Sequence, residues 1–254
     1  MLTVSWLGHS TVVLDLAGTR LLTDPLLQRH AWPLRRRATP PVREAWTDPD
    51  VVLVSHLHHD HAELSSLRLV AHAPVLTAAE NAEWLRKQGL RGEALGDDWR
   101  PVGGDGVEVR LVPAVHHSRP MPHRPNAANG HLVRHGPTSI WAAGDTSPFD
   151  GMEHLAALAG GERLDLALIP IAGWGPRLSD GHLDGPAAAR VCAAVKARYA
   201  LPVHWGTLHP PLFTVRGSRW MHRPREKFLE ALATEAPDTE AVDLAPGESV
   251  TLDI

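Results

Sequence analysis

Residues 55 to 61 read Ser-His-Leu-His-His-Asp-His, and within them His56, His58, Asp60 and His61 have the types and spacing of metal ligands. Neutral imidazole suits Zn, Fe, Ni or Cu, and a carboxylate among histidines with no thiolate fits an open catalytic site better than a closed structural one. The single cysteine, Cys192, excludes a multi-thiolate site and an intrachain disulfide. It stands beside Val191 and Val195 in a helical pattern over 187–198, which predicts a buried structural thiol.

The elements that must position these groups follow from hydrophobic pattern. The run Val51-Val52-Leu53-Val54 is short, apolar and β-branched, so it predicts a strand buried on both faces, with the histidines at its mouth. Alternation points His56 and His58 to one side, while Asp60 and His61 open a helix-like stretch over 62–67. Further strand ends carry His116, Asp145 and His204: a half-exposed strand at 107–112, the second arm of a hairpin at 132–134 and 139–143, and a short strand at 201–207. Seven ligands are too many for one tetrahedral metal and suit two if a carboxylate bridges, so the expected site is dinuclear.

Three strands at 2–7, 11–16 and 20–23 predict an antiparallel meander closed by Asp24-Pro25. An aperiodic, Pro-, Arg- and Trp-rich loop follows over 26–50. A strand at 75–77, a helix over 78–89 ended by Gly89, a strand at 166–170 and a helix capped by Asp184 with Pro186 in its first turn continue the alternation. A helix over 225–235 and strands near 241–244 and 249–254 finish the chain. The order of strands, βα units, strands and βα units implies two similar halves with sheets face to face and helices outside, forming a single domain over 1–254.

A formal net charge of −4 and a pI near 6.5 give no attraction to nucleic acid. No apolar run reaches the ~18 residues of a membrane span, so no integral membrane segment is expected. The N-terminal residues show no leader pattern, which predicts the cytoplasm. The only basic run is Arg35-Arg36-Arg37, either a solvated loop or an anchor for a phosphate or carboxylate.

Beyond the histidine motif, Trp6-Leu7-Gly8-His9-Ser10-Thr11, Leu22-Thr23-Asp24-Pro25, Val112-Pro113-Ala114, Gly144-Asp145-Thr146, Ile169-Pro170-Ile171 and His204-Trp205-Gly206-Thr207 form recurring blocks. The chain resembles the metallo-β-lactamase fold hydrolases. Within them it is most similar to the branch of N-acyl-phosphatidylethanolamine-hydrolysing phospholipase D and the ascorbate-6-phosphate lactonases. The likeness runs from about residue 4 to 208 and implies a four-layer αββα sandwich of two packed mixed sheets with outer helices. It further implies that one metal takes His56, His58 and His116, the other Asp60, His61 and His204, with Asp145 bridging. A hydroxide shared by the metals is then the nucleophile, oriented by Asp60.

His182 matches a family position that approaches substrate and protonates a leaving group or binds an oxyanion. His9 is expected either near the pocket or as a buried hydrogen-bonded residue, and Asp24 as a turn residue or a partner of a ligand histidine. His59 and His117 alternate away from the site, and His131 and His209 are marginal pocket candidates. The chain lacks the branch's N-terminal extension, carries His59 where an aromatic is usual, and departs from the family over the loop 119–130. The phospholipid substrate therefore does not carry over.

The expected activity is hydrolysis of a phosphodiester of a small molecule or lipid, with a lactonase or esterase as the alternative and an iron-loaded redox protein as a distant one. The expected cofactors are two divalent ions, Zn2+ first, with Mn2+ or Fe2+ also compatible. The expected partners are a small-molecule or lipid-derived substrate and, in a homo-oligomer, further copies of the chain.

Overall fold

The first strand, β1 (Leu2–Gly8), alternates Leu2, Val4 and Trp6 inward against Thr3 and Ser5, whose hydroxyls meet Thr251 and Ser249 across the outer face. It continues through β2 (Thr11–Leu16) and β3 (Thr19–Thr23) as the expected meander. In the computed structural model, residues 1–116, 123–173, 175, 177–211 and 221–254 are described. The loop over 26–50 is more ordered than its aperiodic sequence implies. It contains a hairpin of β4 (His30–Ala31) and β5 (Leu34–Arg36) and a 3-10 turn, Arg43–Ala45, each too short for a period to register.

After β6 (Val51–Leu53) come α1 (Leu64–Leu69), β7 (Val75–Thr77), α2 (Ala79–Lys87), β8 (Gly92–Ala94) and β9 (Arg100–Val102). The helix expected over 62–67 starts later because the Glu63 carboxylate accepts the backbone N–H groups of Ser65 and Ser66 and so becomes the N-cap. Asp60 and His61 therefore sit in a tight turn, where His61 and Ala62 donate to the His58 carbonyl. The second half runs β10 (Val107–Pro113), β11 (Asn129–His135), β12 (Thr138–Ala142), α3 (Leu155–Leu158), β13 (Leu164–Pro170), α4 (Gly185–Ala194), β14 (Ala197–Val203), β15 (Leu208–His209), α5 (Arg223–Glu235), β16 (Glu240–Ala241) and β17 (Ser249–Leu252). The helix around Cys192 stops at Ala194, short of residue 198, because Lys196 takes a left-handed φ of 53° and the chain turns at once into β14.

Two seven-stranded sheets result among the described residues, in the orders β17-β1-β2-β3-β6-β7-β8 and β16-β14-β13-β12-β11-β10-β9. Each joins an antiparallel half to a parallel half, and the change falls at β3/β6 in one and β12/β13 in the other. Val4, Leu14, Leu21 and Leu53 of the first sheet pack with Val109, Leu132, Ile140 and Leu166 of the second in one apolar cluster. On the other side of the first sheet, Leu22 and Val52 meet Leu67 of α1 and Leu85 of α2. Leu155 of α3, Val191 of α4 and Phe228 of α5 belong to the cluster of the second sheet. This is the four-layer αββα sandwich.

The chain ends of β3, β6, β12, β13 and β14 lie at one pole, where open α/β sheets place their ligands. At the opposite pole the turn before β3 meets the turn before β10, where the Thr19 hydroxyl donates to the Gly104 carbonyl. The turn between β11 and β12 also lies there, with Gly136 exposed at a left-handed φ of 55°.

Candidate metal centre

The sequence Val51–Val54 is fully buried, and beyond it Ser55 to His61 wrap over the mouth of β6. Asp24, at the end of β3 with φ of 35°, accepts from the Ser55 N–H at 2.8 Å, the Ser55 hydroxyl at 2.7 Å and His61 Nδ1 at 2.8 Å. Both its oxygens are thus occupied, which makes it an anchor of the loop and of the His61 ring. Gly144 arrives from β12 with φ of 64°, and a Cβ there would lie 2.6 Å from Ser55 Cβ. Only glycine admits that approach, and it delivers Asp145 into the middle of the pole.

The seven expected ligands converge. Asp145 Oδ2 lies 3.3 Å from His61 Nε2, 3.2 Å from His204 Nε2, and 4.0 Å from both His56 Nε2 and His116 Nε2. His58 turns its other ring nitrogen inward, with Nδ1 2.9 Å from His56 Nε2 and 3.2 Å from His116 Nε2. Asp60 Oδ2 stands 3.5 Å from His204 Nε2 and 3.8 Å from His61 Nε2. His182 joins them, with Nε2 3.2 Å from Asp145 Oδ2.

Hydrogen bonds on the far side of each ring set these orientations. His116 Nδ1 donates to the Gly181 carbonyl and His204 Nδ1 to the Ala172 carbonyl, each at 2.8 Å, which turns Nε2 of both rings toward the centre. His61 Nε2, His204 Nε2 and Asp145 Oδ1 are buried without any hydrogen-bond partner. Orphaned imidazole nitrogens facing one another and a carboxylate form a donor set that divalent cations satisfy, so the residues fit a metal centre. Two groups separate within it, His56/His58/His116 and His9/Asp60/His61/His204, with Asp145 close to both.

The electrostatics agree. Burial pulls the His61 pKa down, but Asp145, Asp24 and Asp60 overcome it and hold the ring well above its ordinary value; the Asp145 carboxylate likewise takes His204 up to about 9. Burial opposes ionisation of Asp60 and Asp145, yet His61 and His204 keep both well below the carboxylate range. Desolvation lowers His58 to about 4, and burial with His204 lowers His9 to about 3. Bound cations would supply the positive charge that these carboxylates otherwise draw to the His61 and His204 rings.

His9 is buried, with φ of 54° and Nε2 3.0 Å from Asp60 Oδ2. Its N–H donates to the Thr207 hydroxyl, and its carbonyl accepts from the His204 N–H. It is thus a buried, hydrogen-bonded histidine that holds the Asp60 carboxylate. His59 faces Trp32 at a ring distance of 6.4 Å, away from the cluster. His117 lies outside the described residues. His131 is buried between the sheets beside the Leu76 carbonyl, and His209 beside that of Pro210, so neither joins the centre. Cys192 is buried, its thiol pushed up to about 12 by desolvation, as befits a packing residue.

Two supporting residues escaped sequence reasoning. Arg124 donates to the carbonyls of Leu57 and Ala62, both at 3.0 Å, bracketing the ligand loop, while its guanidinium stacks over Trp84. Asn126 accepts from the Leu57 N–H. Both belong to the stretch where the chain departs from the family pattern, and that departure was the only available signal.

The comparisons with known proteins agree with this architecture. The sequence profile described as the Beta-lactamase superfamily domain matches residues 19–205. A UPF0173 metal-dependent hydrolase of Nitratidesulfovibrio vulgaris is 30% identical over 259 residues, covering 98% of this chain and 95% of the relative. N-acyl-phosphatidylethanolamine-hydrolyzing phospholipase D 1 of Caenorhabditis elegans is 28% identical over 272 residues, covering 96% and 74%. An isothiocyanate hydrolase from Delia radicum gut bacteria shares the fold with a TM-score of 0.74 at 19% identity, covering 99% and 100%. The chain belongs to the β-lactamase superfamily. It is a metal-dependent hydrolase of the metallo-β-lactamase fold.

Proposed function

We propose that the protein hydrolyses a phosphodiester of a small molecule or lipid at a centre of two divalent ions, Zn2+ foremost. His56, His58 and His116 would hold one ion and Asp60, His61 and His204 the other, with the Asp145 carboxylate lying between the two groups. The observation that carries this reading is the set of bare nitrogens of His61 and His204 aimed at a buried carboxylate. When bound, such a pair supplies Lewis acidity and lowers the pKa of bound water toward neutrality.

The chain's own groups do the rest. Asp60 orients the attacking water, and the His9 ring restrains its Oδ2. His182, whose Nε2 lies 3.2 Å from Asp145 Oδ2, would donate a proton to the leaving oxygen. The phospholipase relative supports the phosphodiester class. Metal analysis combined with turnover of bis(p-nitrophenyl) phosphate and of an acyl lactone tests the proposal. Metal-dependent cleavage of the phosphodiester, with little on the lactone, is expected; lactone opening alone would replace the substrate class, and equal activity after metal removal would remove the mechanism.

A further inference from the structure

The sheet of β4, β5 and β15 has no part in the metal centre. Its inner side is apolar: Ala31 and Leu34 pack with Leu26 and Leu208. Arg36, the middle of the basic run, is buried and donates to the carbonyls of Leu26 and Leu7, so it anchors no substrate. Alternation turns His30 and Arg35 to the other side, where they pair in register and are exposed, with His209 beside Arg35. Arg29 and Arg37 are exposed where the strands end, and Trp32 at the hairpin tip is 77% exposed.

Residues 28–43 hold five arginines and no Asp or Glu, within a chain of formal net charge −4. Among the described residues, no carboxylate pairs with Arg29, Arg35 or Arg37. An exposed indole beside unpaired guanidinium groups is costly in water but matches a surface that is apolar beneath and anionic above. We propose that this hairpin docks the protein on an anionic phospholipid bilayer, with Trp32 at headgroup depth and Arg29, Arg35 and Arg37 on lipid phosphates. A single protruding aromatic fits a bilayer better than a nucleic acid, which needs a groove or several stacking rings. Trp32 also faces His59, between His58 and Asp60, so docking sets the ligand loop against the lipid.

Co-sedimentation of the metal-loaded full chain with phosphatidylcholine vesicles, with and without phosphatidylglycerol, tests this. Salt-sensitive binding to the anionic vesicles alone is expected. Each arginine near such a surface raises the partition coefficient roughly fivefold, so Arg35→Glu/Arg37→Glu lowers it at least about twenty-five-fold. Trp32→Ala lowers it about tenfold without changing the circular dichroism. Absent binding, equal binding to neutral vesicles, or variants that bind like the wild type overturn the proposal. So does a dimer that Trp32→Ala dissociates in sedimentation velocity, or hairpin-dependent retention of an oligonucleotide instead of vesicles. No turnover enters this measurement, so its failure leaves the hydrolytic reading untouched.

Discussion

The two seven-stranded sheets share one pairing pattern, yet they furnish the metal pocket differently. The first concentrates His56, His58, Asp60 and His61 in one loop, pinned from beneath by Asp24 and from the side by Arg124. The second contributes His116, Asp145 and His204 at separate strand ends and His182 from the turn before α4; His116, His182 and His204 are each oriented by a backbone carbonyl. A contiguous loop can be misplaced as a unit, so it needs braces. Isolated residues at strand ends inherit their positions from the sheet, and one backbone hydrogen bond suffices.

The largest effect should come from the residue both groups share. Asp145→Ala should lose most bound metal and lower turnover on the order of a thousandfold or more with the fold retained, and His58→Ala should do likewise from the other half. Elemental analysis with circular dichroism checks this; unchanged metal content in both variants would refute the ligand set. His9→Gln should separate the two groups, weakening the ion beside Asp60 by about 10–100-fold while sparing the other. A biphasic chelator titration reads that difference, and a single shifted phase would contradict it.

Arg124→Met removes one of the two braces of the first sheet's loop. Two carbonyls lose their donor, at about 1–3 kcal/mol each if they stay dry, so urea unfolding should shift while the ligands of the second sheet remain placed. The smallest effect concerns His131, lowered to about 4 by burial. Its folded pKa lies below its unfolded value, so as pH falls from about 6.5 to about 4 only the unfolded chain takes up this proton and stability drops, levelling below. His131→Gln should flatten that stretch of the urea stability profile by roughly 3 kcal/mol at most.

The same contrast explains what was legible in the sequence. The ligand loop declares itself because four donors lie within six residues behind an apolar strand. His116, Asp145 and His204 were accessible only through the rule that sites gather at strand ends and through the family blocks. Arg124, Asn126 and Arg36 were not legible, since their partners are backbone groups that leave no mark on composition. The β4–β5 hairpin and the edge strands β8 and β9 run two or three residues, too few for any period. The C-terminal end of α4 was misjudged because only the left-handed Lys196, a residue with no special preference for that conformation, marks the turn.

The exposed turn at Gly136 has a practical use. A Cβ placed there meets nothing within 4 Å, and residues 137–143, which include the five of β12 (about 17 Å of extended chain), separate it from the Gly144-Asp145 corner. A fluorophore or tether grafted at Gly136 should tolerate the left-handed backbone if carried on an inserted flexible loop. Immobilised by that handle, the enzyme would present its reactive pole outward, away from the support.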